Sequence, residues 1–194
     1  ALVCESPEED VVAIEVLIRS GALEESSPVS GITNIIMEML QDRISLTPDG
    51  EDRVENAGAI LKTSSELDYA RVSIVCNSKS FPALLQAVAQ SLQPRPVTSV
   101  ELERARKRIL ASLSDSNGAM GQIYDIFRQT FYRYHPYRSS GKGSTLAVER
   151  LDPKAVEDYL NQFFVPNRIV VSVSGRVDRV AVEEMVRKHF TPLV

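Results

Sequence analysis

The chain has 194 residues, of which 43% are hydrophobic and 25% are charged. This composition is typical of a globular protein, and the length is enough for one domain that buries about 70% of its unfolded surface. A formal net charge of −4 argues against nucleic acid or an anionic membrane as the main partner. No apolar run approaches the roughly 20 residues that a membrane span requires, so no membrane span is expected.

The first predicted element is a mostly buried strand over 11–19, which is rich in β-branched residues and is followed by Gly21. A helix is predicted from Gly31, because four apolar residues recur at i, i+3, i+4 and i+7 and form one core-facing stripe. These residues are Ile32, Ile35, Ile36 and Met39.

The next segment predicts a short helix and two strands. Thr47 and Pro48 are typical of a helix start, and Gly58 is a candidate for the position after a helix end. Strands are predicted over 60–64 and 68–76. In the second strand Tyr69, Arg71, Ser73 and Val75 alternate with Ala70, Val72, Ile74 and Cys76. Because side chains alternate between the faces of a strand, the second set is predicted to face the core.

The remaining predicted elements are helices over 81–92, 98–113, 153–164 and 179–190, a helix that contains Ile123, Phe127 and Phe131, and a strand over 169–174. A break is predicted over 114–118 and a flexible loop over 138–145. Strands and helices mix without strict alternation, which favours an α+β layer structure. Cys4 and Cys76 lie in predicted strands and are interpreted as two buried thiols, since two cysteines define no disulfide framework.

Residues 31–40 read Gly-Ile-Thr-Asn-Ile-Ile-Met-Glu-Met-Leu. This decapeptide resembles the helix that carries the inverted zinc motif His-x-x-Glu-His in the M16 peptidase family (pitrilysin, insulinase and mitochondrial processing peptidase). There the segment typically reads Gly-Leu-Ala-His-Phe-Leu-Glu-His-Met-Leu. Other segments resemble the family in the same order, namely 11–25, 65–75, 135–137, 143–145, 151–167 and 170–177. The resemblance implies an antiparallel sheet with helices packed on one face.

The same resemblance implies that the zinc chemistry is missing. Asn34 stands at the first His, Met37 at the catalytic Glu and Glu38 at the second His. The third ligand, a Glu in active relatives, corresponds to Ser112 on the helix over 99–113, which we expect to pack beside the helix over 31–41. Asn34 is a poor zinc ligand and Met37 cannot act as a base. We therefore expect no catalytic residues, no bound metal and no other cofactor.

Active relatives build a chamber from two such units, so residues 1–194 are expected to be a single M16-like domain, one half of a two-domain chain or of a subunit pair. The expected function is non-catalytic. The domain would pair with a catalytic half or subunit, or with a second copy of itself, and bind the peptide or unfolded polypeptide substrate of that partner. The polar face with Tyr69, Arg71 and Ser73 would suit the chamber wall. Two alternatives stay open: a zinc endopeptidase with rearranged ligands that include Glu38, and a free-standing scaffold or binding module.

The histidines, His135 and His189, do not suggest another active site. The resemblance makes His135, which opens a His-Pro-Tyr motif, part of a structural corner. His189 is predicted in the last turn of a helix, where the helix dipole favours its charged form. For the compartment, we expect a soluble protein of the bacterial cytoplasm or periplasm, with an organelle matrix as the alternative.

Overall fold

A computed structural model of the chain describes residues 1–47, 49–115, 119–138 and 141–191. Its strands are β1 (Leu2–Glu5), β2 (Val12–Ile18), β3 (Ile60–Ser65), β4 (Ala70–Cys76) and β5 (Ile169–Gly175). Its α-helices are α1 (Ile32–Ser45), α2 (Arg53–Asn56), α3 (Phe81–Ser91), α4 (Ser99–Asp115), α5 (Ala119–Phe131), α6 (Thr145–Arg150), α7 (Pro153–Phe163) and α8 (Arg179–Phe190). The α+β class is confirmed.

The strands form one sheet in the order β1-β5-β2-β4-β3. β2 lies at the centre and pairs antiparallel with β4 and β5, and β3 pairs antiparallel with β4. β1 pairs parallel with β5, so the sheet is mixed although most of its pairs are antiparallel. β1 and β3 are therefore the two edges.

One face of the sheet carries the core. In β2, Val12, Ile14, Val16 and Ile18 are fully buried, and in β4 they lie opposite Cys76, Ile74, Val72 and Ala70. The predicted alternation of β4 is therefore confirmed. The helix α1 contacts β3, β4 and the helices α3, α4 and α7, and its apolar stripe fills the space between them. Helices cover this face of the sheet, as predicted.

Three details differ from the sequence-based expectations. Cys4 is exposed rather than buried, because it lies on edge strand β1 opposite Ser174, whose side chain is on the face away from the core. Thr47 does not start a helix; its hydroxyl accepts from the N–H of Glu51, and the one-turn helix α2 begins after Asp52, which caps it. The short helix α6 follows Ser144, which caps it, and was not predicted.

Other expectations fall partly outside the described residues. Pro48, residues 116–118 of the predicted break over 114–118, and residues 139–140 of the predicted loop belong to this group. The predicted break is wrong at Ser114 and Asp115, because both residues continue helix α4. Within the described ranges, no helix is long and apolar enough to cross a membrane.

Candidate functional site

The four positions that correspond to the zinc site lie on two helices. α1 carries Asn34, Met37 and Glu38, and α4 carries Ser112. The two helices contact each other along their length and run antiparallel, because ion pairs between them follow opposite sequence directions. From one end to the other, Arg43 pairs with Glu101, Asp42 with Arg104, and Glu38 with Arg108. The predicted packing of these helices is confirmed.

This antiparallel arrangement fixes where Ser112 lies relative to α1. Ser112 is one helical turn beyond Arg108, on the same side of α4, and Asn34 is one turn before Glu38 on α1. Since Arg108 contacts Glu38 and the helices run antiparallel, Ser112 lies toward the end of α1 that carries Asn34. The register of the two helices thus places the three ligand positions toward the same end of the contact between α1 and α4.

The start of α1 is held by a carboxylate and by a close glycine contact. The Glu25 carboxylate accepts from the N–H of Gly31 at 2.6 Å and from that of Thr33 at 3.0 Å, which satisfies two free donors of the helix end. Gly31 has a φ of +93° and Gly143 a φ of +84°. A Cβ on Gly143 would lie 2.5 Å from the Gly31 Cα. The segment before α6 therefore packs directly onto the helix that carries the site.

Asn34 links α1 to this same segment. Its Nδ2 donates to the carbonyl oxygen of Gly141 at 2.8 Å. An amide donor that is committed to a backbone carbonyl performs a structural function, whereas a zinc ligand must offer a lone pair to the metal.

Met37 belongs to the hydrophobic core. Only 2% of its surface is exposed, and it lies in the core cluster formed by the buried side of α1. A thioether in this environment offers no proton acceptor of useful basicity, so the position cannot activate a water molecule.

Glu38 is held in an ion pair with the neighbouring helix. Arg108 Nε lies 2.7 Å from Glu38 Oε2, and Arg108 Nη2 lies 2.9 Å from Asp42 Oδ2. The same Nη2 also donates to the main-chain oxygen of Glu38 at 3.4 Å. The hydrogen bond to Asp42, followed by the charges of Asp42 and Glu38, raises the pKa of Arg108 above its ordinary value. One guanidinium thus bridges two successive turns of α1.

The donor set does not fit a zinc ion. Structural and catalytic zinc sites in proteins use three or four imidazole, thiolate or carboxylate ligands. These positions supply one carboxylate, which is paired with Arg108, and the exposed hydroxyl of Ser112. Across the described ranges, no group of three or more His, Cys, Asp and Glu side chains is placed so that it could hold a metal.

The structure also reveals polar groups that the sequence did not single out. Tyr159 accepts from Ser20 Oγ at 3.1 Å and lies 3.1 Å from Thr33 Oγ1, inside the core below α1. Burial, the largest cause, raises the pKa of Tyr159. A buried hydroxyl cluster that is internally hydrogen-bonded is a structural link, here between α7 and the start of α1. The sequence pattern does not predict this hydroxyl cluster, since its members are far apart in the sequence.

His135 lies in an aromatic corner rather than beside a nucleophile. Its Nδ1 accepts from the N–H of Tyr137 at 3.2 Å, and the two rings are 4.5 Å apart. The Tyr137 hydroxyl donates to Asp68 Oδ2 at 2.9 Å, and this hydrogen bond is the main reason why the pKa of Tyr137 is raised. The corner is therefore tied to the turn between β3 and β4.

A cavity of about 450 Å³ lies at the opposite end of α1 from Asn34, beside α7. It is lined by Arg43, Arg95, Glu157 and apolar residues such as Leu160 and Phe164. Both guanidinium groups are already paired with Glu101. The cavity contains none of the four site positions, and its charged groups are used within the chain.

The chain matches a known protein family and is similar to proteins of known identity. Residues 1–141 match the family described as insulinase (peptidase family M16). The chain is 25% identical to the mouse mitochondrial cytochrome b-c1 complex subunit 1 over 142 residues, which are 73% of this chain and 30% of that protein. It is 24% identical to the zinc protease PqqE of Helicobacter pylori over 187 residues, which are 94% of this chain and 42% of that protein.

Among solved structures, the chain is similar to a peptidase M16 inactive domain from Pseudomonas fluorescens. The TM-score is 0.84 at 15% identity, and the match covers 98% of this chain and 47% of that one. The chain therefore spans less than half the length of each of these three relatives.

Proposed function

Because this chain belongs to the insulinase family of peptidases, family M16, we propose that it is a non-catalytic member. In this proposal it pairs with a catalytic half or subunit and contributes structure and peptide-binding surface to the assembly. The relatives that it matches include both a zinc protease and a subunit of the mitochondrial cytochrome b-c1 complex. Family membership therefore does not decide between catalysis and assembly, and the site residues must.

One observation carries the proposal: the residues at the zinc-site positions are engaged in other interactions. Asn34 is bonded to Gly141, Met37 is in the core, and Glu38 is paired with Arg108. Each of these contacts stabilises the fold, and none leaves a base or a set of metal ligands. The scaffold of the family is thus retained for a purpose other than cleavage by this unit.

A surface on α5 supports pairing with another chain or domain. The helix and the residues after it expose large apolar side chains: Ile123, Tyr124, Ile126, Phe127, Phe131 and Tyr134. Among the described elements, α5 mainly contacts the short turn Pro136–Arg138. Contiguous apolar surface of this kind usually marks an interface. Since the relatives are more than twice as long, we propose that a second M16-like unit covers it.

The edge strand β3 supports the proposed peptide-binding function. An extended polypeptide can add to a free sheet edge through main-chain hydrogen bonds. Among the described strands β3 pairs only with β4, so the main-chain groups on its other side are available to a bound segment. The exposed side of β4 with Arg71 lies next to this edge.

The test combines metal content, cleavage and complex formation. Zinc is measured by elemental analysis after dialysis, and peptide cleavage is assayed with the chain alone and with an M16-type chain that carries an intact His-x-x-Glu-His motif. We expect less than about 0.1 zinc per chain, because at least three protein ligands are normally required. We also expect no cleavage by the chain alone, and a complex with the second chain in sedimentation.

The other outcomes select the alternatives. One zinc per chain that is lost in the Glu38→Ala variant, together with cleavage, would establish a peptidase with rearranged ligands. A chain without zinc that forms no complex with any M16-type partner would establish a free-standing binding module.

A further inference from the structure

Arg108 is the cation of α4 that pairs with two carboxylates of α1, the helix that carries three of the zinc-site positions. Its guanidinium contacts Glu38 Oε2 at 2.7 Å and Asp42 Oδ2 at 2.9 Å, so α4 supplies the positive charge and α1 supplies two negative charges. Glu38 itself stands at the second His position. A metal in the related site would place positive charge between the same two helices, with ligands from both.

We propose that Arg108 replaces the metal ion: it cross-links α1 to α4 and keeps divalent cations away from this helix pair. The inference rests on the proposed non-catalytic function, and it goes further by assigning both the cross-link and the exclusion of cations to one residue. A guanidinium is suited to the cross-link and to the exclusion of cations, since it cannot be deprotonated in proteins and binds two carboxylates at fixed geometry.

Neighbouring charges favour this assignment to Arg108 over the other basic residues of α4. Arg104 also reaches Asp42, but at 3.5 Å, and among the described side chains it forms no ion pair with Glu38. Arg106 is turned the other way and donates to the main-chain oxygens of Val148 and Leu151. Arg108 therefore bridges Glu38 and Asp42, and it lies one turn from Ser112 at the third ligand position.

The first test is a double-mutant cycle on the full chain with Glu38→Gln and Arg108→Gln, read by thermal unfolding. Each single variant is expected to lower Tm by roughly 2 to 4 °C, the shift that a loss near 1 kcal/mol produces in a chain of this size. The double variant should be little worse than Arg108→Gln alone, because Arg108→Gln already removes the pair with Glu38 together with the pair with Asp42. Arg104→Gln is the matched control and should change Tm less. Additive losses, or an unchanged Tm in Arg108→Gln, would overturn the cross-link.

The second test asks whether Arg108 excludes metal. The zinc ligands are restored by Asn34→His, Met37→Glu, Glu38→His and Ser112→Glu, and zinc affinity is measured by calorimetry with and without Arg108→Gln. We expect the variant without Arg108 to bind zinc at least about tenfold more tightly, because a fixed positive charge beside the metal is removed. Adding Arg104→Gln instead should have a smaller effect.

Equal zinc affinity with and without Arg108, or no binding in either background, overturns the exclusion. Neither result bears on the proposed function, which is decided by the zinc content, peptide cleavage and complex formation of the natural chain.

Discussion

The thiols of Cys4 and Cys76 lie in different environments, and this difference can be measured directly. Cys4 is exposed on edge strand β1, whereas Cys76 faces the core at the end of β4. Burial raises the pKa of the Cys76 thiol from its ordinary value of 9.0 to about 11. The buried thiol is therefore protonated at neutral pH and is shielded from reagents.

This raised pKa predicts a loss of stability at alkaline pH. Between about pH 9 and pH 11 the unfolded chain releases the Cys76 proton while the folded chain retains it, so the free energy of unfolding falls as the pH rises. The stabilisation of the wild type over Cys76→Ala, measured by urea denaturation, should therefore be constant below pH 9 and should shrink above it. Cys4→Ala, in the exposed thiol, should keep the wild-type profile. A constant difference up to pH 11 would contradict the assignment.

The ion pair between Arg43 and Glu101 is expected to contribute to the stability of the fold, because one partner is almost fully buried. The side chain of Arg43 is 4% exposed and that of Glu101 is 17% exposed, with two N–O contacts of 2.6 and 3.2 Å. Removal of one partner of such a pair leaves an uncompensated charge. Glu101→Ala is therefore expected to lower the free energy of unfolding by about 2 to 3 kcal/mol.

A matched control is the pair of Lys154 and Asp158, whose side chains are 80% and 63% exposed. Asp158→Ala should not change the denaturation midpoint measurably, because exposed pairs contribute little. The double variant Arg43→Met/Glu101→Leu should recover much of the loss from Glu101→Ala, since no charge remains buried. If Glu101→Ala is as mild as Asp158→Ala, the buried pair is not structurally important.

At the scale of elements, the contact between Gly31 and Gly143 determines how the segment before α6 packs on α1. Gly143 has a positive φ, and its added Cβ would lie 2.5 Å from the Gly31 Cα and 2.8 Å from the Ser30 oxygen. Gly143→Ala is expected to destabilise the fold by about 2 to 4 kcal/mol, through backbone strain and overlap with main-chain atoms.

The control for this prediction is Gly50→Ala. Gly50 also has a positive φ, but apart from its chain neighbours no atom of the described residues lies within 4 Å of its added Cβ, so this variant measures mainly backbone strain. Denaturation of both variants separates the two effects. An equal loss in both would mean that the close approach of the two segments has no cost of its own.

Most elements could be predicted from periodicity, and the exceptions have physical reasons. The stripe on α1 and the alternation on β4 each bury one face, so apolar spacing reports them directly. The parallel pairing of β1 with β5 joins residues that are more than 160 positions apart, and no local pattern encodes it. The six-residue helix α6 is too short to generate a periodic signal and depends on its Ser144 cap.

The candidate site could be located from the sequence, but its contacts could not. The spacing of the motif identified Asn34, Met37, Glu38 and Ser112 and the helices that carry them. The Arg108 bridge, the Asn34 contact with Gly141 and the burial of Met37 depend on how α1, α4 and the segment before α6 pack. These tertiary contacts determine what Asn34, Met37 and Glu38 do in the fold.

At the scale of the whole molecule, the distribution of apolar surface is uneven. The core face of the sheet is covered by helices, whereas α5 exposes aromatic side chains, with Phe127 stacked on Phe131 at 5.5 Å between ring centroids. Aromatic residues in contact with each other form the kind of rigid anchor that dominates interfaces. We therefore expect α5 to be the surface through which this chain associates with another M16-like unit or with itself.

The double variant Phe127→Ser/Phe131→Ser tests this expectation. Loss of two aromatic anchors should weaken self-association, or association with a second M16-like chain, by roughly 30- to 700-fold, since each anchor contributes about 1 to 2 kcal/mol. Sedimentation over a concentration series measures the effect. Val180→Ser, which removes an exposed apolar side chain from α8, should leave association unchanged. If the wild type stays monomeric with every M16-type chain offered, or if the double variant associates as tightly as the wild type, α5 is not the pairing surface.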